Sequence, residues 1–181
     1  MSTTTVTSDR EILDALGSDF DGGFTLMVRT LQPGIYSGAR RLTRHHQDAE
    51  EITQDTFVRA YSALEGYDDS RLASLRLRPW LWTIALNLCR TRARKKTPIP
   101  TGMVEDPFEE PPTEVMDDAA WNAALDRLTE PQRTAVVLRH VLDLPISEIA
   151  EITGRPEGTV KADISRGLER LRTTMNHEER P

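Results

Sequence analysis

Apolar residues recur along this chain at intervals of three and four, the period of a helix with one buried face. The clearest run is "QDAEEITQDTFVRAYSALEG", where Ala49, Ile52, Thr53, Thr56, Phe57, Ala60 and Leu64 fall on one stripe and Gly66 follows as a stop. Upstream, "SDREILDAL" opens with Ser8 and places Glu11 three residues on, the reciprocal pairing of a capping box. The next helix starts near Asp19 and carries Phe24, Met27, Val28 and Leu31; Pro33 and Gly34 are expected to kink or break it before it resumes from Tyr36 to Leu42. After a loop, Pro79 suits the first turn of "PWLWTIALNLCRTRARKK", in which Trp80, Ile84 and Leu88 stack with Leu81 and Ala85 beside them.

The second half repeats the pattern on a smaller scale. "DDAAWNAALDRL" offers Trp121, Leu125 and Leu128 to a core, and "TEPQRTAVVLRHVLDL" begins with Thr129 as cap, Pro131 in the first turn and Gln132 at the capping-box position. Two shorter helices follow, "ISEIAEIT" and "GTVKADISRGLERLR", separated by Gly154, Arg155 and Pro156. Ala150 is small where the pair must cross. Val160, Ile164 and Leu171 lie within about 40° at 100° per residue, so they form the buried seam of a helix-turn-helix. No alternating Val, Ile and Thr pattern argues for strands. The predicted fold is all-α: two small helical domains joined by an acidic, Pro-rich linker, the C-terminal one a helix-turn-helix. The boundaries are residues 1–18 for an N-terminal segment, 19–96 for the first domain, 97–117 for the linker and 118–175 for the second.

Charge sharpens this division. The net charge is −6, yet it is segregated: from Arg71 to Lys96 there are eight basic residues and no acid, whereas Thr97 to Asp118 holds seven acids and no Lys or Arg. The acidic block contains Pro98, Pro100, Pro107, Pro111 and Pro112, which break helix continuation. It is expected to be extended. No apolar run is long enough for a membrane span, and "MSTTTVTSDR" lacks the order of a signal peptide, so a cytoplasmic protein without membrane insertion is expected. Cys89 is the only cysteine, which excludes an internal disulfide and a Cys-based zinc site, and a small buried hydrophobe is its expected role. His45 and His46 lie near acids without metal-ligand spacing, and no nucleophile has a plausible base. No catalytic residue, metal or cofactor is expected.

Three clusters carry candidate chemistry. On the last helix the face opposite the seam shows Gly158, Ala162, Ser165, Arg166 and Glu169, with Thr159 and Lys161 at its edges. Small residues at its centre let the helix sit deep in a major groove, where Thr159, Lys161 and Arg166 reach bases or phosphates. Arg155 precedes the helix start, whose free N–H groups and dipole also favour phosphate. Asp163 is expected on the flank, paired with Arg166 one turn on. In the basic block, Tyr67, Trp80 and Trp82 flank Arg and Lys residues, as a single-stranded DNA site requires, and Asn87 adds an amide for a base edge. Ordinary core packing of both tryptophans explains the same residues. The third cluster is Asp48, Glu51, Gln54 and Asp55 on the polar side of the amphipathic helix, where simple solvation is the alternative.

Together and in this order, "DAEEITQDTFVRAYSAL", "RPWLWTIALNLCRTRARKK" and "LTEPQRTAVVLRHVLDLPISEIAEITGRPEGTVKADISRGLERLR" resemble the extracytoplasmic-function (ECF) sigma factors of bacterial RNA polymerase. The resemblance covers about Asp19 to Arg172. It implies a factor that binds core RNA polymerase and directs initiation, reading a −35 element as duplex and a −10 element as melted strand. Asp48, Glu51, Gln54, Asp55 and Phe57 would dock on the β′ clamp coiled coil, with Phe57 supporting the surface from beneath, and the second domain would meet the β flap. Tyr67, Arg78, Trp80, Asn87, Arg90, Thr91 and Arg94 would serve the −10 element; Arg155, Thr159, Lys161, Ser165 and Arg166 would face the −35 element. The acidic linker would run near the RNA exit path. An anti-sigma factor is the further implied partner. Where many relatives carry "KSR", this chain has Lys161, Ala162 and Asp163, and Thr91 replaces an amide found in some of them. A stand-alone helix-turn-helix regulator and a protein-only adaptor are the competing readings. The first has no use for Tyr67, Trp80 and Asn87 around a separated base, and the second none for Lys161 and Arg166.

Overall fold

The computed structural model describes residues 8–95 and 118–178, and among them the regular structure is helical throughout. The order is α1 (Asp9–Ser18), α2 (Phe20–Thr43), α3 (His46–Leu64), α4 (Asp69–Ser74), α5 (Leu77–Lys95), α6 (Asp118–Asp126), α7 (Glu130–Val136), a π-helical turn (Val137–Val141), α8 (Ile146–Thr153) and α9 (Glu157–Glu178). The expected linker, residues 97–117, lies outside the described residues.

Each start signal acts locally. The Ser8 N–H donates to Glu11 Oε2 at 2.7 Å and Glu11 N–H donates to Ser8 Oγ at 3.2 Å, closing the capping box of α1. That helix, set apart in the sequence as a leading segment, buries Ile12, Leu13 and Leu16 in the main core. It crosses α2 at Gly23, where a Cβ would stand 2.3 Å from the Leu16 backbone nitrogen. Helix α2 runs through Pro33 rather than breaking there. Pro33 is exposed, while Met27, Leu31 and Ile35 anchor the opposite face on both sides of it, so packing outweighs the missing backbone donor.

The amphipathic stripe of α3 is buried residue for residue, from Ala49 to Leu64, and Asp48 is buried with it. On α5 the core-facing set differs from the expected stack. Leu77, Leu81, Trp82, Ala85, Leu86 and Cys89 are buried, whereas Trp80, Ile84 and Leu88 are only half-buried. The basic loop before it contains the short helix α4, capped by Asp68 Oδ1 accepting from Arg71 N–H at 2.8 Å.

In the second half, Ala124, Leu125, Leu128, Val136, Val137 and Leu171 form a small core with Trp121 half-buried at its edge. The helix expected through "VLRHVLDL" ends early in the π turn, where Leu142 N–H reaches Val137 O at 3.3 Å and Asp143 takes a left-handed φ of 51°. Gly154, at φ 67°, makes the turn between α8 and α9. The last helix is longer than its sequence signal, continuing to Glu178.

The two halves are not packed separately. Leu138, Leu144, Ile149, Ile152, Val160 and Ile164 join the core built by α1, α2, α3 and α5. The π turn delivers Leu142 to Gly38 of α2, where an added Cβ would lie 2.3 Å from Trp82 Cη2 and 3.1 Å from Leu142 Cδ1.

Candidate nucleic-acid and polymerase interfaces

Burial of one side of α5 leaves the other side for contact. Asn87, Thr91 and Arg94 are exposed, and Trp80 and Arg90 are half-buried. Thr91 Oγ1 donates to Asn87 O at 2.9 Å, which leaves the Asn87 amide unengaged by that bond. Arg94 Nε reaches Arg90 O at 3.3 Å. Tyr67 lies against Trp80 with ring centroids 6.1 Å apart, and the Arg71 guanidinium sits 3.8 Å over the Tyr67 ring. The two rings are tilted at 58° to each other, and a cation already lies on one face of Tyr67. Trp82 is not part of it: at 5% exposure it belongs to the core, because it points from α5 toward α2. Arg78 is turned toward α1, where its Nε donates to Asp9 Oδ1 at 2.6 Å and ties the two helices.

On α9, Val160, Ile164 and Leu171 are buried as a seam, and Gly167 packs beneath Val136. Lys161, Ser165 and Arg166 are exposed on the far side, with Thr159 half-buried beside them. Gly158 has no atom within 4 Å of the position its Cβ would take, so the N-terminal face is open. Asp163 departs from expectation. It is 7% exposed and pairs with Arg155, not Arg166. Its place one residue before Ile164 turns it inward beneath the turn, and the guanidinium of Arg155 follows it.

The acidic face of α3 also divides. Asp48 is 5% exposed and accepts from Arg92 Nε of α5 at 2.9 Å, and Glu51 accepts from the same guanidinium. Those two hydrogen bonds raise the Arg92 pKa above its ordinary value. Asp48 thus locks α3 to α5 instead of facing outward with its neighbours. Gln54 and Asp55 are exposed, and Phe57 is buried beneath them.

Beside them runs a feature that periodicity alone did not show. A groove of about 750 Å³ lies between α2 and α3, lined by Phe24, Val28, Tyr36, Phe57, Val58 and Tyr61. Val58 is 59% exposed, a large apolar side chain presented to solvent. The signal available in the sequence was Val58 itself, one position off the buried stripe. Tyr61 donates to Asp21 Oδ1 at 3.3 Å, and the charge of Asp21 raises its pKa.

Burial pushes the Cys89 thiol up to about 12. Among the described residues no three His, Cys, Asp or Glu side chains converge to hold a metal, and no helix is long and apolar enough to cross a membrane.

Comparison with known proteins follows the same two halves. The family model for Sigma-70 region 2 matches residues 27–99, and that for Sigma-70, region 4, matches residues 119–171. An RNA polymerase sigma-E factor of Streptomyces avermitilis is 36% identical over 156 residues, covering 84% of each chain. The ECF RNA polymerase sigma factor SigW of Bacillus subtilis is 32% identical over 175 residues, covering 84% of this chain and 88% of the relative. Among solved structures, the sigma factor RpoE of Bartonella quintana, in complex with the anti-sigma factor NepR, superposes with a TM-score of 0.69 at 25% identity over 84% of this chain and 96% of that one. CnrH, in complex with the cytosolic domain of CnrY, shares the fold with a TM-score of 0.72 at 22% identity, over 94% of this chain and 99% of that one.

Proposed function

Since this chain belongs to the ECF sigma factors and directs promoter-specific initiation by RNA polymerase, we propose that it reads two promoter elements in two physical forms. The exposed face of α9 enters the major groove of the −35 element as duplex. There Lys161 and Arg166 supply cations, Thr159 and Ser165 hydroxyls, and Arg155 a phosphate contact beside the helix start. The α5 face takes the −10 element as a melted strand. Tyr67 and Trp80 stack on a base, Asn87 and Thr91 meet its edge, and Arg90 and Arg94 hold phosphates.

The observation that carries this reading is the composition of the α5 face. An amide, a hydroxyl, an aromatic pair and arginines lie together where duplex-only recognition would need none of the rings. Core polymerase docks on Gln54, Asp55 and Glu51 of α3 with Phe57 beneath, and Val58 anchors the contact at the rim of the groove. Asp48 supports that surface through Arg92. The β flap meets the second half. The protein works in the cytoplasm, and the apolar groove also suits a helix of an anti-sigma partner, a class of protein bound by RpoE of Bartonella quintana.

Run-off transcription by core RNA polymerase on a pooled promoter library tests the reading. Promoter-specific transcripts are expected only with this chain, and Asn87→Ala and Lys161→Ala should each remove them while leaving the far-UV circular dichroism unchanged. Transcripts that persist in both variants would overturn the assignment of these faces.

A further inference from the structure

The arginines of this chain are not spent alike. Arg78, Arg90, Arg92 and Arg155 each pair with an acid inside the molecule. Arg127, Arg166 and Arg170 are exposed, and among the described residues none of the three pairs with a carboxylate. They line one crevice of about 500 Å³ between the α6–α7 turn and the C-terminal half of α9. Both walls are fixed. At Gly167 of α9 a Cβ would stand 2.7 Å from Val136 Cγ2 and 3.6 Å from Gln132 Cβ, so α9 lies directly on α7. Across from it, Arg133 Nε donates to Leu125 O at 3.0 Å and its Nη2 to Asp126 O at 3.4 Å, satisfying carbonyls at the end of α6. Leu128 is buried on the same turn, which leaves Arg127 directed outward.

The crevice suits an anion. Among the described residues Glu169 is the one acid that lines it, against three arginines, so positive charge is in excess. Thr173 and Thr174 line it too, but their hydroxyls donate to the Glu169 and Arg170 carbonyls at 3.0 Å each. The donors left for an anion are chiefly guanidinium groups. Position decides which anion. Arg166 already belongs to the proposed −35 face, and Arg170 follows it by one helical turn, about 5–6 Å away. From Thr159 to Arg170 the helix axis advances about 16 Å at 1.5 Å per residue, whereas a major groove is about 12 Å wide. A helix whose N-terminal turns read bases has therefore reached the wall of the groove at Arg170. Arg127 stands beside it on a separate element.

We propose that Arg127 and Arg170 grip the phosphate backbone along one wall of the −35 major groove, which adds the α6–α7 turn to the DNA contact. This rests on the −35 assignment above and extends it by two residues outside that set. The two grips carry no base information of their own. They fix the register of α9 in the groove, so that Lys161 and Arg166 meet their bases.

The test is fluorescence anisotropy of a labelled duplex of mixed sequence, titrated with the full chain at several salt concentrations. Arg127→Gln with Arg170→Gln should weaken binding at least about tenfold at low salt and make the logarithmic salt dependence shallower by about 1.8, or 0.9 for each lost phosphate contact. The loss should be equal on duplexes of unrelated sequence. Arg127→Lys with Arg170→Lys keeps both charges and should keep most of the slope. Arg29→Gln with Arg59→Gln removes the same charge from exposed positions on α2 and α3 and should leave the slope as it is. An unchanged slope in the Arg127 and Arg170 glutamine variant, or an equal loss in the Arg29 and Arg59 variant, would overturn the proposal. So would saturable binding of inorganic pyrophosphate that the same glutamine variant loses, since the crevice would then serve a free phosphate ligand. Lys161→Ala keeps the two readings apart: a shallower slope there, with none at Arg127 and Arg170, sinks this inference and leaves the −35 face standing.

Discussion

Asp163 stands on a helix whose exposed side is small and basic, and its charge is absorbed from within by Arg155. The pair is asymmetric: Asp163 is buried, whereas Arg155 keeps 36% of its side chain exposed. Asp163→Ala should therefore cost about 1–2 kcal/mol in urea denaturation, less than for a fully buried pair, since water still screens the arginine. Two glycines give a sharper contrast. At Gly23 a Cβ meets the Leu16 backbone at 2.3 Å, which no rotamer change relieves. Gly23→Ala should cost about 3 kcal/mol, the upper end of overpacking, read as a lower urea midpoint. At Gly158 a Cβ meets nothing within 4 Å. Gly158→Ala should raise stability by about 0.5–1 kcal/mol, as a helical glycine replaced by alanine does, while weakening −35 duplex binding by holding the helix off the groove floor.

At the scale of elements, α8 carries the contact between halves, and its two acids do not contribute alike. Burial pushes the Glu148 carboxyl above its ordinary pKa; Arg76 and Arg78 pull it down, and Asp9 and Glu151 push it further up. A carboxyl whose folded pKa exceeds its unfolded one favours the folded state only while protonated. Its benefit is complete below the unfolded pKa and is lost as pH rises through the folded value. Ionised Glu148 thus costs stability at neutral pH, which leaves Glu151 as the effective partner of Arg76. Glu148→Gln should raise the thermal midpoint at pH 7 and change it little below about pH 4, where the wild-type carboxyl is protonated in both states. Thermal melts across that range decide the sign. The π turn serves the same contact, since the extra residue it accommodates places Leu142 against Gly38 and Trp82.

Across the whole molecule, a core continuous from Ile12 to Ile164 couples both halves. Urea unfolding of the full chain should be one transition, with NMR amide signals of Ala60 in α3 and Val136 in α7 lost at the same midpoint. Separate midpoints would show that the halves fold independently. The same coupling explains how an acidic chain can carry the two faces proposed to read DNA. Its net charge of −6 includes the carboxylates of Glu130, Asp126 and Glu151, which the fold sets against arginines of the first half. Non-specific DNA binding by the free protein should be correspondingly weak, with a shallow salt dependence in a filter-binding titration, since affinity follows the phosphates that free cations neutralise.

Local rules made much of this legible. The capping box at Ser8, the α3 stripe, the Gly154 turn and the α9 seam each depend on residues a few positions apart, and each formed where its spacing placed it. The order of an amphipathic helix with an acidic face, a basic aromatic helix and a helix-turn-helix sufficed to indicate the family. Long-range pairing was not legible. Asp48 with Arg92, Asp163 with Arg155, Trp82 under Gly38 and Arg76 with Glu151 join residues whose separation along the chain encodes nothing about their meeting. Helical period states which residues share a face, but which face turns inward depends on what packs against it. By itself the sequence determined the helices, their order and the chemistry on their surfaces. Only the tertiary structure decided which charges remain for DNA and polymerase and which are spent within the molecule, because that choice is made between helices and not along them.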